Sequence, residues 1–286
     1  MSDARIRELE RRWRESGAEE DRLAWLAAQE RAGEGDALAI LGGVHANLAA
    51  LEAVLEDLED QGVRRVVCLG GLVGYGPDPV QVVEKIRERC SVVLRGRWED
   101  ALVRGNRYFN QRARECLEWT SARLSEAGEG GWDRLRYLGS LPERERAERD
   151  LYVYGTPGAP VHGHFLYETI RHREGGGYGF QEAFREFERY LFTANANQPL
   201  VATQDRECFP PVDLQHRYRC EGRPAIVHVG SVGQPRDRDR RACYVILRDD
   251  DVEWRRIPYD FEETARRIEA APGLSDVFAG RLRAGV

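Results

Sequence analysis

Lysine is almost missing from this chain: Lys85 stands alone, and the rest of its 43 basic residues are arginine. That imbalance reads as the codon usage of a GC-rich genome rather than as a functional signal. No apolar run approaches the roughly 20 residues a membrane-spanning helix requires, so no membrane partner is expected. Nothing resembles a secretory leader, because Met1-Ser2-Asp3-Ala4-Arg5 opens into a charged amphipathic stretch. An excess of positive charge is lacking too: with 49 acidic residues the net charge is -6, which gives no general pull toward nucleic acid. The six cysteines (Cys68, Cys90, Cys116, Cys208, Cys220 and Cys243) are scattered, with no Cys-x-x-Cys, and read as small reduced hydrophobes. These absences point to a soluble, cytoplasmic protein.

What is present suits one α/β domain with an appendage, since 286 residues, 42% of them hydrophobic, can bury a sizeable core. Residues 1–35 stand apart as a helical pair. Ile6, Leu9 and Trp13 fall on one helical stripe, Ser16-Gly17 breaks it, and Asp21 is placed to cap a second helix carrying Leu23, Trp25 and Leu26. Two such helices are too short to fold alone and must pack on the main domain or on a partner. The stretch resembles the repeat-companion segments that precede varied domains in some bacteria.

From residue 36 to 286 short apolar runs alternate with amphipathic helices. Strands are expected at Ala37–Leu41, Val66–Leu69, Ser91–Leu94, Leu151–Tyr154 and Tyr190–Thr193. A strand-rich part follows, at Leu200–Gln204, Ala225–Val229, Ala242–Leu247 and Val252–Ile257. Helices are expected over Asn47–Leu58, Val80–Arg89, Phe109–Leu124, Trp132–Leu138, Phe180–Glu188, Phe261–Ala270 and Leu274–Leu282. This order predicts a mixed α/β fold, a two-sheet sandwich flanked by helices. There is no internal repeat. The charge run Glu143–Asp150 reads as a solvated face, and the alternating Arg236–Arg241 segment as a self-neutralising surface loop.

The chemistry-bearing segments stand where strands end. They are Gly42-Gly43-Val44-His45-Ala46-Asn47, Leu69-Gly70-Gly71, Gly74-Tyr75-Gly76-Pro77-Asp78-Pro79, Arg95-Gly96-Arg97-Trp98-Glu99, Tyr154-Gly155-Thr156-Pro157, Ala194-Asn195-Ala196-Asn197 and Gly230-Ser231-Val232-Gly233-Gln234-Pro235-Arg236-Asp237. Their order and spacing resemble the calcineurin-like metallophosphoesterases, in particular the small bacterial phosphodiesterase branch. The resemblance implies a metallophosphoesterase-like two-sheet β-sandwich. In that family the strand ends carry Asp-x-His, Gly-Asp, Gly-Asn-His-(Asp/Glu), a lone His and Gly-His-x-His. Together they hold two divalent metals that clamp phosphate and activate a water.

Carried across residue by residue, that set is dismantled here. The first aspartate falls on Gly43 and the metal-bridging aspartate on Gly71. The asparagine ligand is Arg97, the acid-donating histidine is Trp98, the lone histidine is Tyr154, and the final pair is Asn195 and Asn197. Of these eight positions only His45 keeps its family residue. Glycine offers no ligating side chain and a guanidinium repels a divalent ion, so no metal, no cofactor and no catalytic residue is expected. The implied function is that of a pseudoenzyme, a protein-interaction or regulatory scaffold with a protein partner. This frame also serves as a non-catalytic scaffold in a eukaryotic sorting complex.

The second reading is a non-hydrolysing sensor that takes a nucleotide or phosphorylated metabolite. Its ligand-binding set would be His45, Asn47, Arg97, Trp98, Tyr154, Asn195, Asn197 and Arg236, with arginine matching phosphate bidentately. Against it stands a plainer arrangement, in which Arg97 pairs with Glu99 or Asp100 at the surface while Trp98 and Tyr154 plug the cleft. His162-Gly163-His164 and His172 read as loop histidines, and His228 as a packed strand residue.

Overall fold

The computed structural model describes residues 3–31, 37–105, 109–126, 130–165, 170 and 179–286. Two six-stranded mixed sheets stack face to face. The first runs in the order β3 (Val92–Val93), β2 (Arg65–Cys68), β1 (Leu38–Leu41), β11 (Ala242–Arg248), β12 (Asp251–Ile257) and β9 (Arg217–Arg219). The second runs β4 (Arg144–Ala147), β5 (Asp150–Val153), β6 (Tyr190–Thr193), β10 (Ala225–Val229), β7 (Pro199–Thr203) and β8 (Cys208–Phe209). Within each sheet three strands are parallel: β1, β2 and β3 in one, β5, β6 and β10 in the other. Loops leaving parallel strands gather at one edge, and this arrangement brings the motif-bearing segments together.

Side-chain alternation divides the core. Ile40, Val67, Tyr190, Phe192, Val227 and Val245 face inward between the sheets. The other face of the first sheet is covered by α3 (Leu48–Asp60), α4 (Pro79–Arg89), α5 (Arg97–Arg104), α6 (Gln111–Glu126), α7 (Gly131–Ser140), α9 (Phe261–Ala270) and α10 (Asp276–Ala284). The outer face of the second sheet carries Leu151, Leu191 and Ile226 under Phe180, Phe184 and Phe187. Helix α8 is a single turn, Phe180–Ala183, where the phenylalanine spacing predicts one running to Glu188. The chain turns instead, so that the Glu188 and Arg189 N–H groups reach the Arg149 carbonyl.

The N-terminal hairpin forms as its stripe predicts, with α1 (Asp3–Ser16) and α2 (Glu19–Arg31) joined through Gly17 at φ +64°. Trp13 and Trp25 stack at 5.0 Å and, with Leu9 and Leu26, make a small core of their own. Asp21 does not cap α2, which begins two residues earlier. Its buried carboxylate accepts from the Ser16 hydroxyl at 2.6 Å and pairs with Arg12. Leu23 points to solvent, 56% exposed. Arg22 ties the hairpin to the body by donating to the Arg87 carbonyl. The Glu143–Asp150 run is not a featureless face: Arg144–Ala147 forms the edge strand β4, and Asp150 is buried, held by Arg189. No helix among the described residues is long and apolar enough to cross a membrane.

Candidate functional site

The loops after β1 and β2 are laced together by backbone. Gly43 N–H donates to Gly70 O, His45 N–H to Gly71 O and Ala46 N–H to Leu72 O, each within 2.9 Å. The turn after β10 closes on them, with Val232 N–H and Gly233 N–H reaching the carbonyls of Gly42 and Gly43. At the junction lies Glu99, a residue sequence reasoning placed at the surface. It is fully buried, and its carboxylate accepts four backbone N–H groups: Gly71 at 2.9 Å, Leu72 at 2.8 Å, Val73 at 3.2 Å and Gly96 at 2.8 Å. Burial pushes its pKa above the ordinary carboxylate value while the four donors pull it back. An acceptor of four N–H bonds serves fully only as the carboxylate. The signal was legible: Glu99 stands three residues after Gly96 at the start of α5, where a carboxylate reaches back to the cap N–H.

The space that the resemblance assigns to metals is occupied by protein. A Cβ on Gly43, itself at φ +58°, would lie 2.5 Å from Asn197 Oδ1 and 2.8 Å from Ser231 Oγ. A Cβ on Gly71, at φ +71°, would lie 3.1 Å from Gly43 Cα and 3.2 Å from the Tyr154 ring. Tyr154 is 2% exposed, and burial raises its phenol pKa, with the Glu99 charge adding to the shift. Ser231 is spent on the backbone: its hydroxyl donates to Gly43 O and accepts from Gln234 N–H. The donors facing this space are thus an amide, a phenol and an imidazole. Such a set does not fit a pair of divalent cations, which need carboxylates to offset their charge. Among the described residues no group of three His, Cys, Asp or Glu could hold a metal ion.

His45 is buried, with Nδ1 3.2 Å from the Val73 carbonyl and Nε2 3.3 Å from Asn197 Oδ1. Burial depresses its pKa to about 4, and the nearby Arg236 charge adds to the effect. The ring is neutral at physiological pH and no carboxylate backs it, so it is not set up as a general base.

Trp98, 4% exposed, lies over Gly74: a Cβ there would sit 2.3 Å from the indole. An aromatic ladder runs His45–Tyr75–Trp98–Phe109 with centroids 4.7–4.9 Å apart. The ladder is flanked by two guanidinium groups. Arg97 sits 5.1 Å from the Phe109 ring centroid, and Arg236 5.7 Å from that of Tyr75, whose hydroxyl accepts from it at 3.0 Å. Asp100 turns to Arg95, Arg104 and His162.

Of the eight residues read from sequence, His45, Tyr154 and Asn197 converge on the former metal space, with Trp98, Arg97 and Arg236 beside it. Two others stand elsewhere. Asn47 caps α3 and donates to the Gly233 carbonyl and the Tyr259 hydroxyl. Asn195 holds the neighbouring loop by donating to the Gly163 carbonyl at 2.6 Å. His162 meets Asp100 at 3.1 Å, His164 is exposed, and His172 lies outside the described residues. His228 is buried as expected, but neither ring nitrogen has a hydrogen-bond partner among the described residues.

The whole chain was compared with known proteins. No family model matches it. It is 30% identical to a metallophosphoesterase from Sphaerobacter thermophilus, over 88% of this chain and all of that one, with a TM-score of 0.74. The chain belongs to the metallophosphoesterase family. Hypothetical protein PH1004 from Pyrococcus horikoshii OT3 shares the fold, at 22% identity and a TM-score of 0.68 over 87% of this chain and 98% of that one. Uncharacterized protein MJ0912 of Methanocaldococcus jannaschii is 27% identical over 243 residues, 81% of this chain and 91% of that protein. Among the described residues the metal-ligand cluster is missing, which is consistent with loss of metal-dependent phosphoesterase activity.

Proposed function

We propose that this member of the family is a pseudoenzyme, kept as a protein-interaction or regulatory scaffold in the cytoplasm. The observation that carries the reading is the filled metal space. Gly43 and Gly71 replace carboxylates, and Asn197, Ser231 and Tyr154 close the volume that remains. A fold that has exchanged its reactive centre for packing retains a rigid sandwich and its outer surfaces, and fold alone does not dictate chemistry. Helix α2, with Leu23 exposed, and α7, with Trp132 76% exposed, supply apolar contact points for a protein partner. The motif turns retained around the cleft, Gly74-Tyr75-Gly76-Pro77-Asp78-Pro79 and Gly230-Ser231-Val232-Gly233-Gln234-Pro235-Arg236-Asp237, favour descent from the small phosphodiesterase branch.

The decisive experiment incubates the purified chain with manganese and a generic phosphodiester, alongside metal analysis of the protein. The expected result is no hydrolysis above the protein-free rate and no stoichiometric metal. Turnover with manganese overturns the reading. A nucleotide-induced rise in melting temperature that vanishes in Arg97→Ala would replace the scaffold with the sensor.

A further inference from the structure

The alternating Arg236–Arg241 segment reads from sequence as self-neutralising, and the structure departs from that reading in an informative way. Its acids are drawn inward. Asp237 pairs with the half-buried Arg256, and Asp239 takes a bidentate contact from Arg241 at 2.6–3.2 Å besides facing Arg256. Arg238 has a left-handed backbone, φ +68°, and its N–H donates to the Gly285 carbonyl. Its side chain and that of Arg240 are exposed, and neither forms an ion pair among the described residues. Both line a cavity of about 450 Å³ together with Arg241, Tyr259 and Phe261. That volume is in the range of small-molecule sites, roughly 300–1,000 Å³.

Arg240 is already placed for recognition. Its guanidinium stacks on Phe261 with the carbon 4.5 Å from the ring centroid. Stacking fixes the plane of the fork while leaving its in-plane N–H donors free, the geometry that matches a phosphate bidentately. The cavity lining carries three arginines against one aspartate, and that aspartate is engaged by Arg241 and Arg256. Of the nearest acids, Asp260 caps the following helix by accepting the Glu263 N–H at 2.9 Å, and Glu262 is held by Arg283 at 2.7–3.1 Å, with Arg240 a weaker influence on it.

We infer that this cavity, between the 236–241 turn and the junction of β12 with α9, binds a small phosphate-bearing polyanion through Arg238 and Arg240. It shares no residue with the filled metal space, so it stands whether or not the scaffold reading does.

The test is calorimetric titration of the full chain with inorganic pyrophosphate in low-salt, phosphate-free buffer. One saturable site is expected, weakened about a hundredfold or more in the double variant Arg238→Gln/Arg240→Gln, since two charge-assisted contacts are lost together. Arg240→Lys should fall between, because an ammonium neither stacks flat nor forks. Unchanged melting temperatures in these surface variants would show that folding is not the cause. The inference is overturned by an absence of saturable heat, by binding indifferent to the double substitution, or by binding lost instead in Arg97→Ala.

Discussion

Glu99 accepts the backbone N–H of Gly71 at 2.9 Å, at the position that the resemblance matches to the family's metal-bridging aspartate. This carboxylate, from α5, binds peptide N–H groups. Three loops therefore hang on one buried anion: the 71–73 stretch, the 96 turn and, through Gly71 O and Leu72 O, the His45-Ala46 turn. Glu99→Gln keeps the shape but turns an NH2 toward N–H donors. It should lower stability by about 2–4 kcal/mol, the cost of leaving buried donors unmet. Chemical denaturation measures it; a loss below about 0.5 kcal/mol would mean that the loops do not depend on the carboxylate.

Trp98 offers a second test of the filled cleft. Truncation to alanine removes the indole that lies on Gly74 and meets Tyr75 and Phe109, leaving a cavity at the position that the resemblance matches to the family's histidine. The expected loss is about 3–5 kcal/mol. Trp98→His should be costly as well, since it restores the residue type without restoring the metals. If Trp98→His were as stable as the parent chain, the packing role assigned to the indole would be refuted.

Much of this was readable before any coordinates. Strands β6 and β10 and helix α9 run where their apolar patterns place them, because a strand buried on both faces leaves a short continuous apolar run and a helix with one apolar stripe leaves a periodic one. The edge strands β4, β8 and β9 left none: they are two to four residues long and mostly polar or half-exposed, so pairing with a neighbour rather than burial makes them strands. The substitutions at the family's ligand positions are legible as residue identities. The contacts around them are less so. Glu99 does carry a signal, its place three residues after the Gly96 cap, whereas the backbone partners of Ser231 leave no signature in the sequence.

Acid should unfold the protein through its two buried imidazoles. His45 and His228 are each pushed from an ordinary 6.5 down to about 4, both chiefly by burial, with His164 adding to the depression at His228. A histidine whose folded pKa is depressed takes up its proton more readily when unfolded. Its contribution is therefore present above pH 6.5 and is lost as pH falls toward 4. Each shift corresponds to at most about 3 kcal/mol. Melting temperature should drop steadily from pH 7 to pH 4.5, and His228→Leu, which cannot protonate, should flatten part of that slope. A slope identical in parent and variant would remove His228 from the account.

Rebuilding the acidic ligands tests the central claim from the other side. In Gly43→Asp the new Cβ enters a left-handed backbone position at 2.5 Å from the Asn197 amide oxygen and 2.8 Å from the Ser231 hydroxyl; in Gly71→Asp it meets Tyr154 and the Gly43 backbone. Strain and crowding together should cost the double variant about 3 kcal/mol or more, and manganese should still produce no hydrolysis because Tyr154 and Asn197 remain in the way. The cost of Gly71→Asp should depend on its neighbour. If the Tyr154 ring fills the metal space, Tyr154→Ala should relieve part of the Gly71→Asp penalty, giving a coupling of about 1 kcal/mol in a double-mutant cycle. Additivity within about 0.5 kcal/mol would mean that ring and glycine do not compete for the same volume, and the filled-site explanation of the lost chemistry would fail there.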